Sequence, residues 1–284
     1  MIKDILVHIP TERVARPVVD ASISLAAKFD ARLDAVAVGY ISAGAAAYAV
    51  DPTGGAAVAA VAAAFEAEQD RATRRATAAL GIFETEARHA GIKYACHPLE
   101  DLPADAAATV GGLSRLYDLS VVLQPNSEQV TFDNTMPKEI LFQAGGPVLF
   151  VPHIFRGSFG ARRIGLCWDG SRLAARAARD AKPFLETADA LVAISINGAD
   201  SVPREASADR LAKRLEREGL SIRRIELTAA RSEIQPTILS LAADEGLDML
   251  VMGAYGHSRL QEGILGGVTR DMLQTMTVPV LMSH

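Results

Sequence analysis

Strand-like runs and amphipathic helical runs alternate along this chain, and the whole series occurs twice. The first series has five short β-type runs, at 5–9, 33–38, 94–97, 120–123 and 148–151. The second series restarts at Arg163 and has β-type runs at 163–168, 191–196, 222–227, 249–252 and 280–282. Strands that alternate with helices favour a parallel sheet covered by helices on both faces. The pattern therefore predicts two α/β units in one chain.

The ends of the two series are also similar. Gly-Gly-Pro-Val-Leu-Phe-Val at 145–151 corresponds to Thr-Val-Pro-Val-Leu-Met-Ser at 277–283. A repeat of about 140 residues is too long for a solenoid unit and is typical of duplicated domains. The periodicity breaks between Pro152 and Ala161, so we expect one domain at 1–152 and another at 161–284. Pairing of the two final strands would satisfy their exposed edges and join the sheets.

Composition and charge exclude several classes of protein. The chain is 49% hydrophobic and 22% charged, as expected for a globular protein with real cores. Its net charge is −5 and no long Lys/Arg block is present, which argues against a nucleic-acid partner. We find no apolar run long enough for a membrane span and no export signal, and therefore expect a cytoplasmic protein.

The two cysteines, Cys96 and Cys167, lie inside apolar runs that look like strands. Buried free thiols are a better interpretation than a disulfide or a metal pair. They favour a reducing compartment.

An Ala- and Gly-rich stretch from Ser42 to Ala57 has no counterpart in the second series. We expect a surface loop there, with a lid over a ligand as the alternative.

Four glycines after the fourth β-type run of the second series could form a phosphate site. Gly253 and Gly256 allow a tight turn whose backbone amides approach phosphate oxygens. Gly266 and Gly267 lie where the last helix begins, and the free N–H groups and dipole of that helix can bind an anion. Purely structural turns are the alternative.

The spacing Gly253-x2-Gly256-x9-Gly266 resembles the nucleotide-binding signature of the universal stress protein family. That family has Ser or Thr at the next position, where this chain has Gly267 followed by Val268. The missing hydroxyl predicts a weaker phosphate contact, because Thr269 lies too far along the helix to replace it.

Between the glycines, His257 could contact ribose or phosphate and Arg259 could clamp a phosphate, although solvated loop residues are the alternative interpretation. Neither residue establishes a nucleophile and base pair, so we predict no catalytic residue.

A second resemblance follows the first β-type run of the same half. Trp168-Asp169-Gly170-Ser171 is similar to the Val-Asp-Gly-Ser of the family, which implies that Asp169 lies near adenine. The alternative is that Asp169 or Ser171 caps the next helix. By the same resemblance, Ile196 flanks the base.

The first half lacks both features. Ile9-Pro10-Thr11-Glu12 stands where the second half has Trp168 to Ser171, and Pro125 lacks the N–H that a phosphate turn would need. We therefore predict that residues 1–152 form a degenerate domain that pairs with or regulates the second one.

The resemblance implies two tandem Rossmann-like domains of the adenine nucleotide alpha hydrolase type, each with a five-stranded parallel sheet of order 3-2-1-4-5. It implies a stress-response sensor or regulator that binds ATP or another adenine nucleotide, with or without Mg²⁺, and acts through protein partners that the sequence does not identify. The alternatives are a slow ATP hydrolase and an interaction module without a ligand. Formation of a homodimer stays open.

Overall fold

The computed structural model describes residues 1–41, 55–198, 202–255 and 267–284, with side chains omitted at 55–61. The predicted lid or loop at Ser42–Ala57 lies almost entirely outside the described residues. The first half has five strands: β1 Asp4–His8, β2 Arg32–Tyr40, β3 Tyr94–Asp101, β4 Leu119–Leu123 and β5 Val148–Val151. Its described helices are α1 Arg16–Phe29, α2 Gly55–Ala90, α3 Pro103–Ser114 and α4 Met136–Gln143.

The second half repeats this order of elements. Its strands are β6 Arg163–Cys167, β7 Ala190–Ile196, β8 Arg223–Leu227, β9 Met249–Gly253 and β10 Val280–Ser283. Its described helices are α5 Arg172–Asp180, α6 Lys182–Leu185, α7 Ala208–Arg217, α8 Ile234–Asp244 and α9 Gly267–Thr275. Single 3₁₀ turns lie at Phe132–Asn134, Arg204–Ala206 and Arg231–Glu233.

All ten strands form one continuous sheet in the order β3-β2-β1-β4-β5-β10-β9-β6-β7-β8. Within each half the neighbours are parallel and the order is 3-2-1-4-5, which confirms the predicted fold class. The halves meet where β5 and β10 pair antiparallel, with Leu149 opposite Leu281. The predicted pairing of the two final strands is therefore present, and it removes two exposed edges from the sheet.

Side chains of the central strands alternate between two apolar layers, because successive strand residues point to opposite faces. Ile5 and Val7 pack in one layer while Leu6 packs in the other. The first layer is covered by α1, α2, α5, α6 and α7, and the second by α3, α4, α8 and α9. Both layers run through both halves, so the two units share continuous cores.

One close approach fixes how α2 lies on the sheet. A Cβ atom built on Gly39 in β2 would lie 1.9 Å from the backbone oxygen of Ala72. The helix backbone therefore rests directly on the strand, and only glycine leaves room for it. No described helix is both long and apolar enough to cross a membrane.

The cysteine prediction is half right. Cys96 and Cys167 are both free thiols, but each is only half-buried. Cys96 lies on β3, which is an edge strand of the sheet, and Cys167 is the last residue of β6. Desolvation, reinforced by the negative charge of Asp169, raises the pKa of the Cys167 thiol to about 12.

Candidate functional site

The candidate site lies at the carboxyl edge of the second half of the sheet. β6 lies between β9 and β7, and the chain leaves β6 toward β7 on one side and returns through β9 on the other. This makes the crevice between β6 and β9 a topological switch point, where open α/β sheets bind their ligands. Asp169 follows β6, Ile196 ends β7 and Gly253 ends β9, so three of the predicted residues share this edge.

Asp169 and Ser171 have separate roles in the turn after β6. The hydroxyl oxygen of Ser171 accepts a hydrogen bond from the amide of Ala174 at 3.1 Å and so caps α5. Asp169 is exposed, and its Oδ1 accepts from the amide of Ser171 at 2.9 Å, which holds the carboxylate in the turn. The cap is therefore Ser171, and the Asp169 carboxylate faces solvent at the strand end.

Trp168 and the segment around Val202 form one wall beside this turn. The indole ring is 8% exposed, and its Nε1 donates to the carbonyl of Ala206 at 2.6 Å. Gly170 has φ +69°, and a Cβ atom on it would lie 2.6 Å from Cγ1 of Val202. The contact between Val202 and Gly170 lies next to Asp169 and was not foreseen from the sequence, because Val202 comes from a connection more than thirty residues further along the chain.

The end of β7 is held in place by a side-chain clamp. Ile196 is half-buried, and Asn197 after it adopts φ +58°. The Asn197 side chain donates to the carbonyl of Ala229 at 2.8 Å and accepts from the amide of Ala229 at 3.0 Å. This pair fixes the strand end beside which the resemblance puts the base. Asparagine takes a left-handed conformation more often than most residues, so Asn197 itself is the signal in the sequence that points to the clamp.

Gly253 is required by packing at this edge. A Cβ atom on Gly253 would lie 2.6 Å from both the amide nitrogen of Ala174 and the carbonyl carbon of Leu173. The first turn of α5 thus rests on the end of β9, which gives this glycine a structural role. The same contact brings the amino end of α5 to the edge where a ligand would lie.

A hydrogen bond connects the end of β9 to α9. Tyr255 has φ +57°, and its amide donates to Oγ1 of Thr269 at 3.3 Å. Thr269 is only 6% exposed, so its hydroxyl is turned into the protein and does not replace the missing Ser at position 267.

Gly267 and Val268 form the first turn of α9, and both are half-buried. The heavy atom nearest to a Cβ on Gly267 is Oδ2 of Asp271, at 3.7 Å. Oδ1 of the same carboxylate accepts from Nε of Arg270 at 3.2 Å. A carboxylate therefore lies beside the predicted phosphate-binding end of the helix, which the sequence reading missed.

Four predicted residues, Gly256, His257, Arg259 and Gly266, lie outside the described residues. In the described part of the chain, no group of three or more His, Cys, Asp or Glu side chains could hold a metal ion.

The matching edge of the first half is filled by its own polar side chains. Asp133 is 2% exposed and accepts from the amide of Glu12 at 2.7 Å and from the hydroxyl of Tyr40 at 2.8 Å. Arg13 donates to the carbonyl of Gln124 at 2.8 Å and to Oδ1 of Asn134 at 2.9 Å. The segment 124–134 thus covers the ends of the strands at this edge.

Burial shifts the pKa values in this network. Desolvation raises the pKa of Tyr40 well above its usual value, and the nearby Asp133 adds to the shift. Desolvation also lowers the pKa of His8, with a smaller lowering from Arg13 and an opposing effect of Asp133. Nε2 of His8 has no hydrogen-bond partner among the described residues, which is consistent with a neutral, buried imidazole.

Aromatic and polar contacts connect the first half to the candidate site. The ring of Phe142 on α4 lies 5.0 Å from that of Tyr255 and 4.7 Å from that of His284. Arg176 on α5 donates to the carbonyl of His284 at 2.7 Å and also to the carbonyl of Gly145 in the first half. Tyr255, which directly precedes Gly256 in the chain, is therefore in contact with the first half through Phe142.

Comparisons with known proteins agree with this architecture. The family model "Universal stress protein family" matches residues 160–284. "Universal stress protein MJ0577" of Methanocaldococcus jannaschii is 32% identical to this chain over 74 residues, which are 26% of this chain and 44% of that protein. The match thus spans less than half of that relative.

Two solved structures extend the comparison. A universal stress protein from Archaeoglobus fulgidus DSM 4304 covers 98% of this chain with a TM-score of 0.72 and 15% identity, and 97% of that protein is aligned, which is a likeness of fold. A universal stress protein solved in complex with cAMP aligns with 43% of this chain and 97% of its own length, at a TM-score of 0.33 and 19% identity. Residues 160–284 therefore match the universal stress protein family, and the chain as a whole shares the fold of a solved universal stress protein.

Proposed function

We propose that this chain is a stress-response protein that binds an adenine nucleotide at the carboxyl edge of its second half and acts as a sensor or regulator. The observation that carries the proposal is that Asp169 after β6 and Gly253 at the end of β9 share one switch-point crevice, with the first turn of α9 bonded to Tyr255 just beyond β9. Residues 161–284 would form the nucleotide-binding domain and 1–152 the regulatory domain. The free thiols of both cysteines favour a cytoplasmic location.

The base would be recognised at the end of β6. The Asp169 carboxylate is exposed and already oriented by the amide of Ser171, so its remaining lone pairs can accept from an exocyclic amine. Ile196 on the neighbouring strand offers a half-buried apolar surface for the ring. Both features suit a purine better than a simple phosphate.

The phosphates would be held at the amino end of α9. The described part of this helix has nine residues, and the N–H groups in the first turn of a helix have no partner within it. These donors and the helix dipole favour an anion. The side chains of His257 and Arg259 would add contacts from the loop before the helix.

Asp271 makes the proposed phosphate contact depend on a cation. Its carboxylate lies beside Gly267, where its charge would repel phosphate oxygens. Mg²⁺ prefers oxygen ligands and binds through one or two carboxylates together with substrate phosphates. Asp271 is therefore the residue that would hold Mg²⁺, and nucleotide affinity should rise when Mg²⁺ is present.

Isothermal titration calorimetry of the full-length protein with ATP tests the proposal, with and without Mg²⁺. We expect Asp169→Ala to weaken binding about tenfold, the loss of one hydrogen bond of roughly 1.4 kcal/mol. Asp244→Ala is the matched control, because Asp244 is an exposed aspartate on α8 away from the crevice. Mass spectrometry of freshly purified, denatured protein should release AMP, ADP or ATP.

Two results would overturn the proposal. ATP that gives no saturable heat with or without Mg²⁺, together with no co-purified nucleotide, would leave an interaction module as the better reading. Binding that Asp169→Ala and Asp244→Ala leave equally strong would remove the crevice from consideration as the site.

A further inference from the structure

A separate cleft lies between the two halves of the molecule, on the side of α9 that faces the first half. Its volume is about 370 Å³, which is within the range of roughly 300–1,000 Å³ found for small-molecule sites. The first half contributes the segment 125–134 and Lys138 of α4. The second half contributes Tyr255 and three residues of α9, including Arg270 and Leu273.

The charge of this cleft is one-sided. Lys138 and Arg270 line it, and none of its described lining residues is a carboxylate. Lys138 makes no ion pair with a described residue, whereas Arg270 shares its charge with Asp271, which lies outside the lining. Arg270 lies close enough to Tyr255 that its charge opposes the rise that burial causes in the pKa of the phenol.

The remaining lining is apolar with a few polar groups. Pro125, Val130, Tyr255 and Leu273 provide apolar surface. Asn126, Ser127, Asn134 and Gln274 also line it, and their side-chain N–H and O–H groups can donate to an acidic ligand.

From these features we propose that the cleft between the halves binds a small organic anion with an apolar body. Its acidic group, a carboxylate, sulfonate or phosphate, would lie between Lys138 and Arg270, and its apolar part would lie against Leu273 and Tyr255. This ligand would occupy a place separate from that of the proposed nucleotide, because none of the described predicted nucleotide residues lines the cleft.

The cleft is connected to the candidate site through Tyr255. Tyr255 lines the cleft, packs against Phe142 and donates its amide to Thr269. It also directly precedes Gly256 in the chain. A ligand that contacts both halves here would favour one arrangement of Tyr255, and through it one arrangement at the start of α9.

The test uses two dyes with the same aromatic body. 8-Anilinonaphthalene-1-sulfonate carries an anionic group, and N-phenyl-1-naphthylamine is its neutral counterpart. We expect the full-length protein to bind the anionic dye saturably and more tightly than the neutral one. Replacing both Lys138 and Arg270 by Ala should weaken the anionic dye roughly tenfold and leave the neutral dye unchanged.

Controls keep the result interpretable. Lys213→Ala removes an exposed cation on α7, outside the cleft, and should leave the affinity of both dyes unchanged. Since Lys138 and Arg270 are at the surface, thermal unfolding of the double variant should match that of the unmodified protein.

Three outcomes would overturn the inference. The dyes could bind equally well, which would deny the role of the cations. The double variant could bind the anionic dye as tightly as the Lys213→Ala control does, which would put the dye elsewhere. ATP with Mg²⁺ could displace the dye competitively, which would make the cleft part of the nucleotide site.

Discussion

Replacing Gly267 with Ser should strengthen nucleotide binding. Family members have Ser or Thr where this chain has glycine, so the substitution returns a hydroxyl to the proposed phosphate end of α9. Among the described residues, the heavy atom nearest to the new Cβ would be Oδ2 of Asp271 at 3.7 Å, an ordinary van der Waals distance, so none of them opposes a side chain at this position.

The expected gain follows from one hydrogen bond to a charged group. Such bonds contribute roughly 1.5–3 kcal/mol, and the low end applies here because Gly267 is partly exposed and Asp271 is close. About 1.4 kcal/mol corresponds to a tenfold lower Kd. Calorimetric titration of the full-length variant with ATP and Mg²⁺ measures it directly.

Gly267→Ala is the matched control for the serine variant. It adds the same Cβ without a hydroxyl, so its Kd should stay within about twofold of the unmodified protein. If serine and alanine variants bind ATP equally well, the hydroxyl meets no phosphate, and the reasoning that puts phosphates at the amino end of α9 is refuted.

Other predictions concern stability, measured by urea unfolding of the full-length protein. Gly39→Ala should lower the free energy of unfolding by about 1–3 kcal/mol or more, because its Cβ would collide with Ala72. Gly81→Ala on the same helix, α2, meets no atom within 4 Å and should raise that free energy by about 0.5–1 kcal/mol. The folded-state pKa of His8 lies below its unfolded value, so its contribution is complete above about pH 6.5 and declines as the pH falls. Between pH 7.5 and 5.5 the unmodified protein should lose up to about 1.4 kcal/mol more than His8→Asn does. Arg176→Ala should cost about 1–3 kcal/mol, because Arg176 bonds two carbonyls in opposite halves.

Each of these expectations can fail separately. Equal effects of the substitutions at Gly39 in β2 and Gly81 in α2 would deny the close approach of this helix to β2. A pH dependence that His8→Asn leaves unchanged would mean that His8 is not buried as a neutral group. An Arg176→Ala variant as stable as the unmodified protein would leave the halves joined by β5, β10 and the apolar layers alone.

The architecture could be predicted because it depends on local periodicity. Alternating strands and helices favour parallel pairing, and the similar segments 145–151 and 277–283 marked the two strands that pair. The partial exposure of Cys96 could not be predicted, since a strand at the edge of a sheet carries the same apolar alternation as one inside it. Edge position is set by the order of strands in space, which the local pattern at 94–97 does not contain.

The site was predicted less completely than the fold. Asp169 was found from the resemblance of residues 168–171 to the family's Val-Asp-Gly-Ser, although the structure was needed to show that Ser171 is the cap and Asp169 the free carboxylate. Asp271 was missed because it lies beside Gly267 only if both are in the same helix. The residue at which a helix begins is poorly defined by sequence. The position of Asp133 over the strand ends of the first half was missed because its hydrogen-bond partner Glu12 is 121 residues away in the chain.

Photo-crosslinking of the full-length protein with 8-azido-ATP, followed by peptide mass spectrometry, tests the central claim most directly. The reactive group is on the base, so we predict saturable labelling of peptides that contain Asp169 or Ile196, and protection by an excess of ATP. Labelling confined to the first half, or labelling that excess ATP does not reduce, would contradict an adenine nucleotide site at the carboxyl edge of the second half.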